Sequence, residues 1–411
     1  MRNPFTMKKK NHRPADEIQD LQFFGEYGGV NPSISDSATY TFLRAQTMLE
    51  TFEGKTDACY LYSRHSSPST HYLSTAIARM ENTESALATA SGMGAITSVI
   101  MHLAKAGDHI VTARTIYGGT YAFLKNFLPK FGVDVSFVDI TKPEKVAEAI
   151  RPNTKMIYTE VLSNPLLEVA DIPALSKIAK KHNIPLVVDN TFTPLIFTPA
   201  RLGADIVIHS LTKFINGMND MVGGVVCGTE EFIEDLRNVN DGAAMLLGPV
   251  MDSLRAAEVL KNLHTLPVRM VKHSQNAMFL AENLEKEGLK IKYPGLASHP
   301  QHETFKKMMN PEFGFGGMLT IDLETSERAN RFMERLQQKN VGYLAVSLGF
   351  YKTLFNAPGK GTSSEIPEEE QKEMGLSEGM VRMSVGLDFD IRRTLAKIKE
   401  ILSEMQPEKS L

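Results

Sequence analysis

The run "IVIHSLTKFINGMND", Ile206 to Asp220, ends a series of β-branched residues in His209, Ser210, Thr212 and Lys213. An amine that acts as a nucleophile needs a defined, partly desolvated seat that lowers its pKa. Two hydroxyls at alternate positions beside Lys213 suggest such a seat. Asp189 closes "PLVVD", one strand-to-strand crossover upstream, and Ser91, Gly92 and Met93 open "SGMGAITSVIMHLA", where a strand pattern turns into a helical one. A helix that begins at a glycine offers free backbone N–H groups and a positive dipole end, both suited to phosphate. Together these residues describe a pocket for a phosphate beside a carboxylate and an amine.

Pyridoxal 5′-phosphate uses every member of this set. A lysine joins its aldehyde as a Schiff base, an aspartate pairs with the protonated pyridine nitrogen, and a helix end with hydroxyls holds the phosphate. The competing reading is a nicotinamide site, because "GMG" also opens a dinucleotide fingerprint. Thr97 stands where that fingerprint has its third glycine, and no acidic residue closes a strand at the expected distance, so we set this reading aside. No metal is called for.

These residues need a frame. From about Glu84 to Gly228, short apolar runs ("HIVTA", "VSFVD", "KMIYTE", "PLVVDN", "DIVIHS") alternate with helical stretches such as "PALSKIAKKHN". That alternation predicts a parallel sheet covered on both faces, with ligands gathered beyond the carboxyl ends of its strands. After about Pro267 the rhythm changes to longer helices with the strands "GGMLTIDLE", "YLAVSLG" and "MVRMSVGL". A closing helix carries Ile391, Leu395, Ile398 and Leu402 on one face. The expected organisation is an extended N-terminal arm over 1–66, a cofactor-binding domain over 67–265 and a smaller α/β domain over 266–411. The segment Phe355 to Gly375, rich in Gly, Pro, Ser and Glu, reads as a surface loop.

Bulk properties narrow the class. The chain has 411 residues, 42% hydrophobic and 23% charged, with a formal net charge of -3, so nothing favours nucleic acid or an anionic membrane as partner. Two cysteines are too few for a disulfide framework and fit a reducing, cytoplasmic setting. No apolar run approaches the ~18 residues of a membrane span. The start, "MRNPFTMKKKNHRPADE", has no apolar core and reads as an arm rather than a signal or transit peptide.

The segments "YSRHSSPS", "SGMGAI", "YGGTYAF", "SNPLLEVADI", "VVDNTFTP", "SLTKFINGMND", "YPGLASHPQH", "AVSLG" and "SEGMVRMSVGL" resemble the Cys/Met-metabolism family of pyridoxal-phosphate enzymes, from about Phe24 to the last helix. Within it they are most similar to the methionine γ-lyase group of plant type. The resemblance implies an aspartate-aminotransferase-like fold (fold type I): an α/β chain with an arm, a large domain and a small domain. It also implies a homotetramer built as a dimer of dimers, with sites shared between subunits. By motif, Lys213 is the Schiff-base lysine and Asp189 the partner of the ring nitrogen. Gly92, Met93, Ser210 and Thr212 hold the phosphate, joined by Tyr62 and Arg64 from the neighbouring subunit. Tyr117 stacks on the ring, Asn164 lies near the ring hydroxyl, and Ser347 and Arg382 bind the substrate carboxylate.

The reaction implied is α,γ-elimination from methionine or a close sulfur amino acid, giving 2-oxobutyrate, ammonia and a thiol. Lys213 moves the protons and Tyr117 protonates the leaving sulfur. γ-Replacement on an activated homoserine and cystathionine cleavage are the alternatives, with a silent scaffold as a third. Three positions depart from the family pattern: Gly119 for a cysteine of microbial relatives, Met218 in place of a histidine, and Lys352 for a glutamate. All three bear on substrate choice. Lys352 in particular is expected at the outer end of the pocket, where it would attract a distal carboxylate.

Overall fold

The computed structural model describes residues 12–56, 59–359, 361 and 366–405. The basic start over 1–11 and part of the expected loop after Phe355 lie outside the described residues.

The larger sheet is assembled from β1 (Ser85–Thr89), β2 (His109–Ala113), β3 (Asp134–Val138), β4 (Thr154–Glu160), β5 (Leu186–Asp189), β6 (Ile206–Ser210) and β7 (Gly224–Gly228). Its order is β1-β7-β6-β5-β4-β2-β3. The five strands β2 to β6 pair in parallel, as the alternating pattern predicts. Helices cover both faces of such a sheet, so β2, β5 and β7 are buried at every residue and read as mostly apolar runs without alternation. β7 departs from the expectation. It runs antiparallel to both β1 and β6, which brings its first residues to the same end of the sheet as the last residues of the parallel strands.

A second sheet takes the order β10-β11-β12-β9-β8, from β8 (Lys290–Lys292), β9 (Met318–Asp322), β10 (Gly342–Leu344), β11 (Thr353–Asn356) and β12 (Met380–Ser384). "YLAVSLG" is only partly strand, because the chain leaves the sheet after Leu344. Gly349, at φ +77, then turns back against the chain after β6. A Cβ on Gly349 would stand 2.5 Å from the Phe214 nitrogen, so only glycine permits this approach. The irregular stretch carries Ser347 and Leu348 toward the large sheet.

The arm is not extended throughout. Helix α1 (Pro14–Gln19) starts with a proline, has Asp16 and Glu17 in its first turn, and buries Ile18. Its Glu17 pairs with Arg79 at 3.2 Å on α3 (Pro68–Glu81). Helix α2 (Ala45–Phe52) has no buried residue. Two further helices matter for the site, α4 (Gly92–Leu103) and the short α5 (Gly118–Ala122).

Two apolar cores form. One packs Val187, Val207 and Val226 of the large sheet, and the other packs Val381, Phe332 and Ile398. The closing helix Ile391–Glu404 buries Leu395 and Ile398 in the second core, with Ile391 and Leu402 packed at its edge. The helix Leu266–Lys286 runs through both: Leu266 and Met270 belong to the first, Ala277 and Leu280 to the second. Its Arg269 donates to the carbonyl of Ile215 at 2.8 Å, and its Asn276 donates to the carbonyl of Gly386 at 2.9 Å. One helix therefore grips the chain just after Lys213 and just after β12. Among the described residues no helix is long and apolar enough to cross a membrane.

Candidate active site

A cavity of ≈ 480 Å³ opens at the carboxyl ends of β4, β5 and β6. Gly92, Met93, Tyr117, Asn164, Asp189, Ser210, Thr212, Lys213 and Arg382 all line it. Nine residues singled out from widely separated motifs thus share one pocket.

The phosphate-suited end is built from β6 and α4. Ser91 caps α4 by accepting from the Gly94 N–H at 2.9 Å, which leaves the first amides of the helix without a partner inside it. A Cβ on Gly92 would come within 2.9 Å of the Ser210 Cβ and 3.0 Å of its Oγ, so the glycine lets the helix end close onto the strand end. Thr212 Oγ1 accepts from the Gly223 N–H at 3.0 Å, just before β7, and Thr191 Oγ1 accepts from the Ser210 N–H at 2.8 Å.

Lys213 follows β6 and points across the cavity, with Nζ 3.4 Å from Ser347 Oγ. Burial, reinforced by the Arg382 guanidinium, brings its pKa down to about 8 from 10.5. Ser347 in turn donates to Asn219 Oδ1 at 2.7 Å. Arg382, projecting from β12, is buried and donates to Asn164 Oδ1 at 2.8 Å and to the Ser347 carbonyl at 3.5 Å. Burial lowers its pKa to about 10, which still leaves it charged at neutral pH.

Asp189 closes β5. Its Oδ1 accepts from the Thr191 N–H at 2.9 Å and its Oδ2 from the Tyr158 hydroxyl at 3.4 Å. Burial pushes its carboxyl above the usual range, against the hydrogen bonds from Thr191 and the charge of His209. Glu160 closes the neighbouring strand β4 and is raised too, first by burial and then by Asp189. It accepts from the backbone N–H of Tyr117 at 2.7 Å and of Asn164 at 3.0 Å. Two buried carboxyls side by side favour a proton or a cation between them. Tyr117 stands half-exposed at the rim. A Cβ on Gly119 would lie 2.6 Å from its Cε1, so glycine there gives the tyrosine ring its place.

Some expected residues are elsewhere. Tyr62 and Arg64 do not line the cavity of their own chain: Arg64 donates to the Met245 carbonyl at 3.1 Å and lies over the Tyr62 ring at 5.9 Å. Lys352 is not at the outer end of the pocket. Its ammonium sits 5.0 Å from the centroid of the Tyr343 ring on β10, held by an aromatic face instead of facing the cavity. Met218 is half-exposed and lines no part of it. Conversely, Glu160 and Thr191 line the cavity without having been anticipated. Glu160 carried the same signal as Asp189, an acid closing an apolar strand pattern in "KMIYTE", whereas Thr191 had none beyond its place after Asp189.

A mostly parallel sheet with a smaller, largely antiparallel one, and a pocket beyond the parallel strand ends that gathers a lysine, an aspartate and hydroxyls, define the fold-type I class of pyridoxal-phosphate enzymes. The chain belongs to the Cys/Met metabolism PLP-dependent enzyme family, whose model matches residues 18–397. It is 46% identical over 380 residues to a methionine gamma-lyase of Arabidopsis thaliana, covering 91% of this chain and 86% of that one. A cystathionine gamma-lyase from Lactobacillus plantarum complexed with L-serine superposes with a TM-score of 0.87 at 29% identity, covering 96% of this chain and 99% of that one. A Campylobacter jejuni structure that carries N′-pyridoxyl-lysine-5′-monophosphate matches equally well, at 0.87 and 29%, covering 95% of this chain and all of that one. The cofactor is pyridoxal phosphate. The close approach of Gly92 to Ser210, the free amides of α4 and the two hydroxyls fit its phosphate. The buried carboxyl of Asp189 fits a cationic ring nitrogen.

Proposed function

We propose that the protein eliminates the γ-substituent of L-methionine or a close thioether amino acid, releasing 2-oxobutyrate, ammonia and a thiol. The observation that carries this is the desolvated Lys213 amine sharing one cavity with Asp189 and Arg382. In this reading Gly92, Met93, Ser210 and Thr212 hold the cofactor phosphate, and Asp189 holds the ring nitrogen. Lys213 is the residue to which the aldehyde is linked at rest. When bound, pyridoxal phosphate supplies an electron sink for the charge left at the substrate α-carbon.

This chain's residues do the rest. Arg382, fixed by Asn164 and the Ser347 carbonyl, takes the substrate carboxylate in its rigid fork. Lys213, once released, has a pKa near the working range of a general base and carries protons at the α- and β-carbons. Tyr117 at the rim donates its hydroxyl proton to the departing sulfur. Tyr117 also covers the ring, and Glu160 holds the backbone beneath it.

The apolar part of the lining favours methionine over its competitors. Ile96, Phe192, Val222, Val346 and Leu348 are apolar, and among the described residues Lys213 and Arg382 are the only cations lining the cavity. A methyl thioether suits that lining better than the second carboxylate of cystathionine. We also propose a homotetramer of two dimers in a cytoplasmic setting, with Tyr62 and Arg64 completing the neighbour's phosphate site. The exposed Tyr27, Val30, Leu43 and Phe52 of the arm support such a contact. The division at 66 and 265 is proposed on the sequence pattern, although the first core also takes in Ile18 of the arm and Leu266, Met270 and Phe305 beyond 265.

A substrate panel tests the reaction. Methionine without added sulfide should yield 2-oxobutyrate and methanethiol, faster than cystathionine yields 2-oxobutyrate and cysteine. Turnover confined to O-acetylhomoserine with sulfide would overturn it.

A further inference from the structure

Glu81 is the last residue of α3 and is buried to 1% exposure. This is a poor place for a carboxylate. The C-terminal end of a helix carries the negative end of its dipole, and a buried charge costs several kcal/mol unless it is paired. The pairing is specific. Glu81 Oε1 lies 2.7 Å from Nε2 of the fully buried His209, and it accepts from Asn190 Nδ2 at 3.3 Å.

The two partners stand at meaningful positions. Asn190 directly follows Asp189 at the end of β5, and His209 directly precedes Ser210 at the end of β6. A single carboxylate oxygen therefore spans the ends of the two strands that carry Asp189 and the Ser210–Lys213 run. Asn190 is pinned further, since its Nδ2 also donates to the Phe197 carbonyl at 3.1 Å and its Oδ1 accepts from Thr193 at 2.7 Å. On the cavity side the same two strand ends are joined by the Ser210 N–H and Thr191 Oγ1. Glu81 and His209 do not line the cavity.

Stability alone does not account for the pair. Among the described residues, Glu81 Oε2 and His209 Nδ1 have no hydrogen-bond partner. Well-packed apolar residues in place of a half-satisfied buried pair are commonly neutral or stabilising. We propose that Glu81 and His209 are positioning residues of the cofactor pocket, setting from behind the sheet the distance between Asp189 and the strand that leads to Lys213. The proposal rests on the reading of Asp189 and Lys213 as the two ends of the cofactor site.

The test uses the apo protein first, so that its outcome is separate from any result on substrate. Native-state hydrogen exchange would be read at the amides of Thr191 and Ser210, with β2 and β12 as internal references. Glu81→Ala should speed exchange at those two amides by about tenfold, the scale of one lost buried hydrogen bond, and leave the references unchanged. Glu81→Gln keeps an acceptor for both partners and should recover most of the protection. Pyridoxal phosphate added to the apo proteins should bind Glu81→Ala more weakly by a similar factor, with its visible spectrum altered, and Glu81→Gln nearly as well as wild type. If Glu81→Ala does not fold, His209→Ala cuts the same link from the β6 side and should show the same local opening. Wild-type protection at Thr191 and Ser210 in the folded variant, or an equal rise in β2 and β12, would overturn the proposal.

Discussion

Replacing Lys213 by methionine should stabilise the apo protein at neutral pH. The ammonium is held in a seat where burial, then Arg382, brings its pKa from 10.5 to about 8. In the unfolded chain it titrates near its ordinary value, so between those limits the unfolded state binds more protons than the native state. Native stability therefore rises as pH climbs from about 8 to about 10.5, and below about 8 the full cost of the buried charge is present. At about 1.36 kcal/mol for each pH unit, a fall of about 2.5 corresponds to about 3.4 kcal/mol, an upper bound because the cavity admits water. Methionine keeps the stem length without the charge, so Lys213→Met should gain about 1–3 kcal/mol at pH 7. The assay is urea unfolding of cofactor-free wild type and variant at about pH 7 and about pH 9.5. The gap should narrow at the higher pH, where the wild-type native state has shed its proton. A gap that does not change with pH, or a variant that is the less stable at pH 7, would refute the reasoning.

Arg382→Lys keeps the charge but loses the fork that Asn164 and Ser347 orient, so kcat/KM should fall by the equivalent of about 1–3 kcal/mol, chiefly through KM. Unchanged constants would mean that another group takes the carboxylate. Gly92→Ala places a methyl 2.9 Å from the Ser210 Cβ, and the overpacking should cost about 1–3 kcal/mol, read as weaker binding of pyridoxal phosphate to the apo protein. Equal affinity would show that the helix end shifts without harm to the phosphate seat. Chains carrying Lys213→Ala and chains carrying Arg64→Ala, refolded together, should regain activity in the hybrids, because one shared site collects both defects and the other neither. Confirmed hybrids no more active than either parent would place Arg64 in the service of its own chain.

The parallel strands were legible because a strand buried on both faces must be largely apolar, and "HIVTA" and "PLVVD" are so at most positions. β7 was harder to read as antiparallel, since "GVVCG" is equally apolar whichever way it runs, and direction depends on what connects it. The cofactor motifs were legible for a different reason: phosphate, ring nitrogen and aldehyde each demand a particular residue type at a strand end. Glu160 escaped notice although it met that demand, because no second motif accompanied it. Lys352 shows the opposite failure. A cation next to "SLG" looks like a pocket residue in one dimension, but the turn at Gly349 and the pull of the Tyr343 ring take it elsewhere. Side-chain direction after a tight turn is a three-dimensional outcome that spacing does not encode.

The helix Leu266–Lys286 has a consequence for cooperativity. Its first half completes one core and its second half the other, so unwinding the whole helix exposes apolar surface in both. The two cores are therefore expected to melt together despite their separate sheets, which a single calorimetric transition would check. A chain cut at the start of this helix leaves the N-terminal fragment without one wall of its core and the C-terminal fragment with the first half of the helix uncovered. Mixed together, the fragments need the helix as the joint on which they reassemble, and the Arg269 bond to the Ile215 carbonyl crosses the cut to set the register in which they meet.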